Sequence, residues 1–138
     1  MKTNLTALYK TDSSFEKDGI WMAVGGGVEF RVRRFGGENS VAVSKAMAKF
    51  NKPFAAKMQS NSMTQQELNL VDAQILAEAL ISDWKGVKDD QGKELEFTFE
   101  NVVSVLADLP ELMAALMRNA TDYNKYKVEY DQEEVGNS

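Results

Sequence analysis

The sequence predicts a mainly α-helical domain of about four to five helices, with a short N-terminal β-hairpin at about residues 20–35 and a long C-terminal helix. Three observations predict this fold class. Apolar residues recur at helical spacing after Ser40, helix-capping motifs precede several of those segments, and period-two alternation is confined to the stretch around three consecutive glycines. At 138 residues the chain is long enough for one core, so we expect a single domain.

The polar composition of the two ends suggests where that domain begins and stops. Residues 1–18 show little periodicity and are predicted to form a flexible arm. Residues 131–138 are acidic and end in small polar side chains, which is typical of a frayed tail. The folded core is therefore predicted to span residues 19–130.

The hairpin is predicted from two short β-rich runs, residues 20–24 and 28–35, separated by the glycines at 25–27. Glycine supplies the positive φ that such a turn needs. In the second run Val28, Phe30 and Val32 alternate with charged residues, which predicts one wet face. No P-loop lysine follows the glycines, so the pattern does not favour a nucleotide site.

A helical pattern begins at Ser40 and carries apolar residues at steps of three and four, namely Val43, Met47, Phe50, Phe54 and Met58. Pro53 either kinks this helix or starts a new one, because its ring removes a backbone donor. Lys45, Lys49 and Lys52 lie along another face. That face is either solvated or a binding surface.

Thr64 and Glu67 form a capping box, which predicts a helix from there to about Ser82. The stretch "DWKGVKDDQGKELEFTFEN" then reads as a turn that joins two helices. Its tight turn is predicted at Asp89, Asp90 and Gly92. Core anchors are predicted at Trp84, Phe97 and Phe99, and Thr98 is predicted to cap the next short helix.

The last helix is predicted to start near Asp108 and Pro110 and to be long, because apolar and aromatic residues repeat every seven positions: Leu109, Leu116, Tyr123 and Tyr130, joined by Leu112 and Tyr126. The core of one domain could hardly cover this whole row of side chains, which we call the seam. Its tyrosines are either half-exposed surface residues or a surface for a partner or a second copy. The candidate association residues on this helix are Leu112, Leu116, Tyr123, Tyr126 and Tyr130.

Charge is divided unevenly along the chain, whose net charge is −5. Residues 1–60 hold 10 Lys and Arg against 5 Asp and Glu, whereas residues 61–138 hold 6 against 16. The halves either pack on each other or attract another copy or an acidic partner. Arg31, Arg33 and Arg34 are the remaining candidate association residues. A basic nucleic-acid-binding module is a lesser alternative, since phosphate contacts need a dominant positive field.

Several classes of chemistry have no support in the sequence. The chain contains no cysteine and no histidine, which removes thiolate nucleophiles, serine–histidine triads and the usual zinc ligands. A calcium loop with Gly92 at its sixth position puts Val87 at its first, so the register fails. We therefore predict no catalytic residue, metal or cofactor. No apolar segment is long enough for a membrane span or a signal peptide, which favours the cytoplasm.

Three stretches resemble the tail assembly chaperones of long-tailed bacteriophages, including lambda-like phages. They are Gly19-Ile20-Trp21 opening a hairpin that ends near "RVRRFGGEN", the run "ISDWKGVKDDQGKELEFTFEN", and "LADLPELMAALMRNATDYNKY". Together they extend from about residue 19 to 127. The resemblance implies a small, mainly helical protein of the host cell cytoplasm that is absent from the mature virion.

The same resemblance implies that the protein binds the tape measure protein, keeps it soluble and helps to recruit tail tube subunits. Contact with the tail tube protein would be made by a frameshifted longer product. Self-association is expected, whereas nucleic acid and membrane are not expected as partners. The seven methionines, among them Met47, Met58 and Met113, either provide an adaptable partner surface or belong to the core. A structural tail adaptor of the virion is the alternative function.

Overall fold

A computed structural model describes residues 2–128 as a helical body built on a three-stranded sheet. Its mainly helical character confirms that part of the prediction. The helices are α1 (Asn4–Tyr9), α2 (Ser13–Asp18), α3 (Ser40–Asn51), α4 (Ala55–Gln59), α5 (Gln65–Ile75), α6 (Phe99–Ala107) and α7 (Pro110–Thr121). The strands are β1 (Ile20–Gly25), β2 (Val28–Val32) and β3 (Ile81–Lys85). Within the described residues, no helix is long and apolar enough to cross a membrane.

The predicted fold class is wrong, first of all in its sheet. β1 and β2 are joined through the glycine turn, but β3 comes from the middle of the chain and pairs antiparallel with β2, giving the strand order β1-β2-β3. The expected helix up to Ser82 instead stops at Ile75, continues as a π-helical turn over Leu76–Leu80 and then enters the strand. An N-terminal hairpin standing by itself is therefore replaced by a sheet whose central strand is paired on both edges.

Packing explains why residues 81–85 form a strand and do not continue the preceding helix. Ile81 and Trp84 are buried, and the Trp84 ring meets Phe30 of β2 edge to face at a centroid distance of 5.9 Å. The indole Nε1 donates to the carbonyl of Leu95, 3.0 Å away. β-Branched and aromatic residues on a half-buried surface favour a strand, and the pairing with β2 completes the ladder.

The long C-terminal helix is the second error. α7 ends at Thr121, a 3-10 turn follows over Tyr123–Tyr126, and Lys127 forms a β-bridge with Thr11. The Asp122 carboxylate accepts the Asn124 N–H at 3.2 Å and so favours a new turn over a continued helix. Tyr126 is fully buried because the chain turns back toward β2. Tyr130 and the predicted tail lie outside the described residues.

The core lies between the inner face of the sheet and the helices α3, α5, α6 and α7. It contains the two inward residues of β2, Phe30 and Val32, together with apolar residues from each of these helices. Their burial follows from period two in the strand and from periods three and four in the helices. This one cluster supports the elements on which the candidate site is built.

Local capping signals are accurate where a side chain makes the cap. Thr64 and Glu67 exchange hydrogen bonds with each other's backbone N–H groups, at 3.1 and 3.0 Å, and α5 begins at the next residue. Thr98 caps α6 by accepting the Asn101 N–H at 3.1 Å. At α7, however, the N-cap position is Leu109 and no side chain caps the helix, although the helix begins at Pro110, close to the predicted start.

The first 18 residues contain α1 and α2, two short helices in the segment for which the sequence predicts a flexible arm. The Asp12 N–H donates to the Tyr126 carbonyl at 2.7 Å, and the Val128 N–H donates to the Lys10 carbonyl at 3.1 Å. This segment therefore contacts the other end of the described chain.

Candidate partner-binding surface

An open groove, largely apolar, lies between α3 and the beginning of α6. Its volume is about 560 Å³, within the ~300–1,000 Å³ typical of ligand pockets. The residues that line it are Lys49, Phe50, Ala77, Glu78, Phe97 and Phe99. It thus joins three segments that are far apart in the sequence, and three of its six lining residues are phenylalanines.

Two phenylalanines form the centre of this groove. The rings of Phe50 and Phe99 stack with a centroid distance of 5.9 Å and an interplanar angle of 16°. Phe99 remains 39% exposed, so the prediction that it anchors the core is wrong. Thr98 caps α6 immediately before it, which fixes the first turn of the helix and turns this ring outward. An exposed ring stacked on a second ring offers a flat apolar contact to a partner.

An ion pair forms the polar edge of the groove. The Nζ of Lys49 lies 2.7 Å from the Oε1 of Glu78, and it also lies 5.0 Å from the centre of the Phe50 ring. Lys49 comes from the basic half of the sequence and Glu78 from the acidic half, as do the partners of a second pair, Lys57 and Glu67, at 2.6 Å. The two halves therefore pack on each other within one chain.

The exposed apolar surface continues along α3 and α4. Val41 is 63% exposed, Met47 40% and Met58 38%. Met113 is buried, so the methionines divide between core and surface. Large apolar side chains that stay exposed are typical of a protein interaction surface when they form a contiguous patch.

The association residues predicted on the last helix do not form one seam in the described chain. Leu116 and Tyr126 are fully buried, and the Tyr126 hydroxyl donates to the Val32 carbonyl at 3.0 Å. Leu112 is half-buried and lines a separate apolar cavity of about 280 Å³ beside β2. Tyr123 stacks on Tyr9 of α1 at 6.4 Å. Tyr130 lies outside the described residues.

Two of the three arginines predicted as association residues, Arg31 and Arg34, make side-chain contacts within the chain. The Nε of Arg31 donates to the Ser82 hydroxyl at 2.8 Å, and its guanidinium lies 5.6 Å from the centre of the Trp21 ring. Arg34 forms an ion pair with the buried Glu16 at 2.7 Å. Arg33 is half-buried, and burial, followed by the nearby Arg31 charge, lowers its pKa.

Glu16 is the centre of a buried polar cluster. Its carboxylate accepts hydrogen bonds from the Arg34 guanidinium at 2.7 Å and from the Glu38 N–H at 2.5 Å. Burial raises the pKa of this carboxyl, but these hydrogen bonds together hold it below its ordinary value. A carboxylate held in its charged form by several donors stabilises the fold and is poorly suited to proton transfer.

Comparison with known proteins gives a family. The family model described as YdaY prophage protein matches residues 38–137, which is 72% of the chain, and no curated protein or solved structure matches. The chain belongs to the YdaY prophage protein family. It is therefore a phage-derived protein. All six residues that line the groove fall inside the matched region, whereas the β1–β2 hairpin and Glu16 precede it.

The groove of this YdaY-family chain is the part of the site that sequence reasoning missed. Phe50 and Lys49 were visible as an apolar and a basic position on α3, and Phe99 as an aromatic residue after a cap. Nothing local indicates that they meet, because the two phenylalanines are 49 positions apart in the sequence, with a strand between them. The available signal is that Thr98 caps α6, which places Phe99 at its first position.

The chemistry that this arrangement supports is non-covalent binding. Among residues 2–128, no group of three or more acidic side chains is placed to hold a metal ion. The groove itself combines stacked rings with one ion pair and presents no pair of carboxylates in contrasting environments, as acid–base catalysis requires. The YdaY-family protein can bury a partner's apolar side chains there and satisfy polar groups at the edge.

Proposed function

We propose that this prophage protein is a non-enzymatic tail assembly chaperone that binds the tape measure protein, keeps it soluble and helps to recruit tail tube subunits. The observation that carries the proposal is the phenylalanine groove, together with the exposed apolar residues beside it on α3 and α4. The resemblance implies a long helical substrate. An apolar groove of this kind can accept the apolar face of a helix.

Two further findings support the proposal. The chain belongs to a prophage protein family, and three of its stretches resemble phage tail assembly chaperones. The adaptable methionines Met47 and Met58 are exposed on α3 and α4, and methionine suits surfaces that accept varied partners. The proposed place of action is the host cell cytoplasm. A frameshifted longer product would contact the tail tube protein, and the mature virion would lack the chaperone.

Co-expression with the tape measure protein of the same prophage tests this function. The native chain should keep the tape measure protein in the soluble fraction and co-purify with it. Phe99→Ser should lose both effects, because it removes half of the stacked pair. It should cost about 1–2 kcal/mol of folding stability, since this ring is only partly buried.

Leu5→Ser/Leu8→Ser is the matched control, because it removes two exposed apolar side chains from α1, at 56% and 53% exposure. This control should still solubilise the tape measure protein. A tape measure protein that stays insoluble beside the native chain contradicts the proposal. So does recovery of the native chain in purified virions, which would instead indicate a structural tail adaptor.

A further inference from the structure

Strand β1 lies at the edge of the sheet and has a strand partner on one side only. In the order β1-β2-β3 its neighbour is β2, and residues 20–23 pair with residues 29–32 in regular antiparallel register. Outside that ladder, no backbone hydrogen bond joins residues 20–25 to another described segment. The alternate N–H and C=O groups that point away from β2 are therefore open to a further strand.

The composition of β1 does not protect this edge. Its sequence is IWMAVG, which contains neither a charge nor a proline, and a bulge interrupts only its glycine end. None of its residues is buried, although Met22 pairs with the buried Phe30 of β2. The Trp21 ring points toward β3, where the Nζ of Lys85 lies 3.9 Å from its centre, so it does not cover the edge. An apolar edge without such protection favours pairing with another chain.

Helix α7 runs antiparallel beside β1, and the space between them is incompletely filled. Met22 shares an open cavity of about 220 Å³ with Ala115 and Arg118. Val24 shares a second one, of about 280 Å³, with Leu112. The middle of the helix therefore lies level with the middle of the strand. Strand and helix form one margin of the molecule, which a single partner can cover.

The exposed side of α7 is self-complementary in charge. Glu111, Ala115 and Arg118 are spaced by four and three residues, which places them along one side of the helix. Glu111 and Arg118 are exposed, and neither forms an ion pair with another residue of the described chain. When two such helices cross antiparallel at Ala115, Glu111 of each copy meets Arg118 of the other. The small side chain at the crossing allows close approach.

We propose that this chain forms a twofold dimer in which β1 pairs antiparallel with β1 of a second copy, while α7 packs antiparallel on its counterpart. The axis passes near Ala23 and Ala115, because the middle of the strand lies level with the middle of the helix. One axis therefore generates both contacts and joins two three-stranded sheets into one. The phenylalanine groove shares no residue with this surface, so the inference does not depend on the proposed function.

Sedimentation velocity at protein concentrations from about 1 to 200 μM tests the proposal. The native chain should reach twice the 15.4 kDa mass of one copy as the concentration rises. Ala23→Lys should weaken the dimer about tenfold, because Ala23 is exposed and the change places like charges close together where the strands pair. Ala42→Lys, at an exposed position of α3, is the matched control and should leave the dimer unchanged.

Charge exchange on α7 tests the direction of the pairing. Glu111→Arg and Arg118→Glu should each weaken the homodimer about tenfold at low ionic strength, since each puts like charges opposite one another across the axis. Mixed in equal amounts, the two variants should form a heterodimer as tight as the native dimer, because both Glu–Arg contacts are then restored. Glu100→Arg, in the first turn of α6, is the control and should have no effect. Circular dichroism checks that each variant is folded.

A chain that stays monomeric at all of these concentrations would overturn the inference. So would a dimer that Ala23→Lys leaves intact, or charge variants that bind each other no better than themselves. A dimer that dissociates on Phe99→Ser but not on Ala23→Lys would place the second copy in the phenylalanine groove, which also overturns it. Co-expression with the tape measure protein is a separate result, since a monomeric chain can still keep that protein soluble.

Discussion

Glu16 stabilises a distant part of the fold in a way that its local sequence does not suggest. It lies in a polar segment with no helical stripe, yet the residue is only 1% exposed and pairs with Arg34 of the segment after β2. Its second carboxylate oxygen accepts the Glu38 N–H. A buried charge with this many donors is costly to leave unpaired, so both Arg34 and the 3-10 turn at Gly37–Asn39 depend on it.

Replacing Glu16 with Gln should lower the free energy of unfolding by about 2–4 kcal/mol, because Arg34 then loses its charged partner. Urea denaturation at pH 7 measures this. Glu38→Gln is the matched control, since its pair with Lys17 is exposed and 3.9 Å long, and it should cost less than about 0.5 kcal/mol.

Glu16→Gln should also change how the free energy of unfolding depends on pH. The pKa of Glu16 in the folded state is lowered, so the carboxylate stabilises the native chain above the unfolded-state pKa. That stability is lost as the pH falls through the lowered folded-state pKa. The native protein should therefore lose more stability than Glu16→Gln on acidification below about pH 4.5. Parallel curves for the two proteins would show that the ion pair contributes nothing.

At the scale of elements, helix starts were predictable where the cap is a side chain close in sequence. Thr64 with Glu67 and Thr98 with Asn101 act within four residues, so the sequence contains all of the information. β3 was not predictable in this way. Residues 81–85 continue an apolar pattern that also suits a helix, and only pairing with β2 selects the strand.

Thr64→Ala tests the cap that begins α5. It removes the acceptor for the Glu67 N–H and should lower the free energy of unfolding by about 1 kcal/mol. Thermal unfolding followed by circular dichroism measures the loss. Thr121→Ala at the end of α7 is the control, because its hydroxyl only adds a bond to a carbonyl already within the helix. If both variants lose the same amount, the capping box has no special role.

Hydrogen bonds join three segments of the molecule that are far apart in the sequence: the N-terminal segment, strand β2 and the last 3-10 turn. Tyr126 makes two of them, one through its hydroxyl to the carbonyl of Val32 and one through its own carbonyl to the Asp12 N–H. The first links residues 94 positions apart. The N-terminal helices and the last 3-10 turn therefore belong to one cooperative structure.

Tyr126→Phe should lower the free energy of unfolding by about 1–2 kcal/mol, because the buried Val32 carbonyl loses its donor. Burial raises the pKa of Tyr126 to about 12. The unfolded chain ionises this tyrosine near pH 10, so the native protein should lose stability from pH 10 to 12. Phe cannot ionise, and the variant should lose less over that range.

What the sequence determined by itself is the local structure: the mainly helical character, the glycine turn at residues 25–27, the capped starts of α5 and α6, and the turn at Asp89 and Gly92. These depend on side chains and backbone groups a few residues apart. The tertiary structure decided the third strand, the end of α7 at Thr121, the burial of Glu16 and Tyr126, and the phenylalanine groove. Each of these depends on a partner brought close by folding, and burial of those partners outweighs the local preference of the chain.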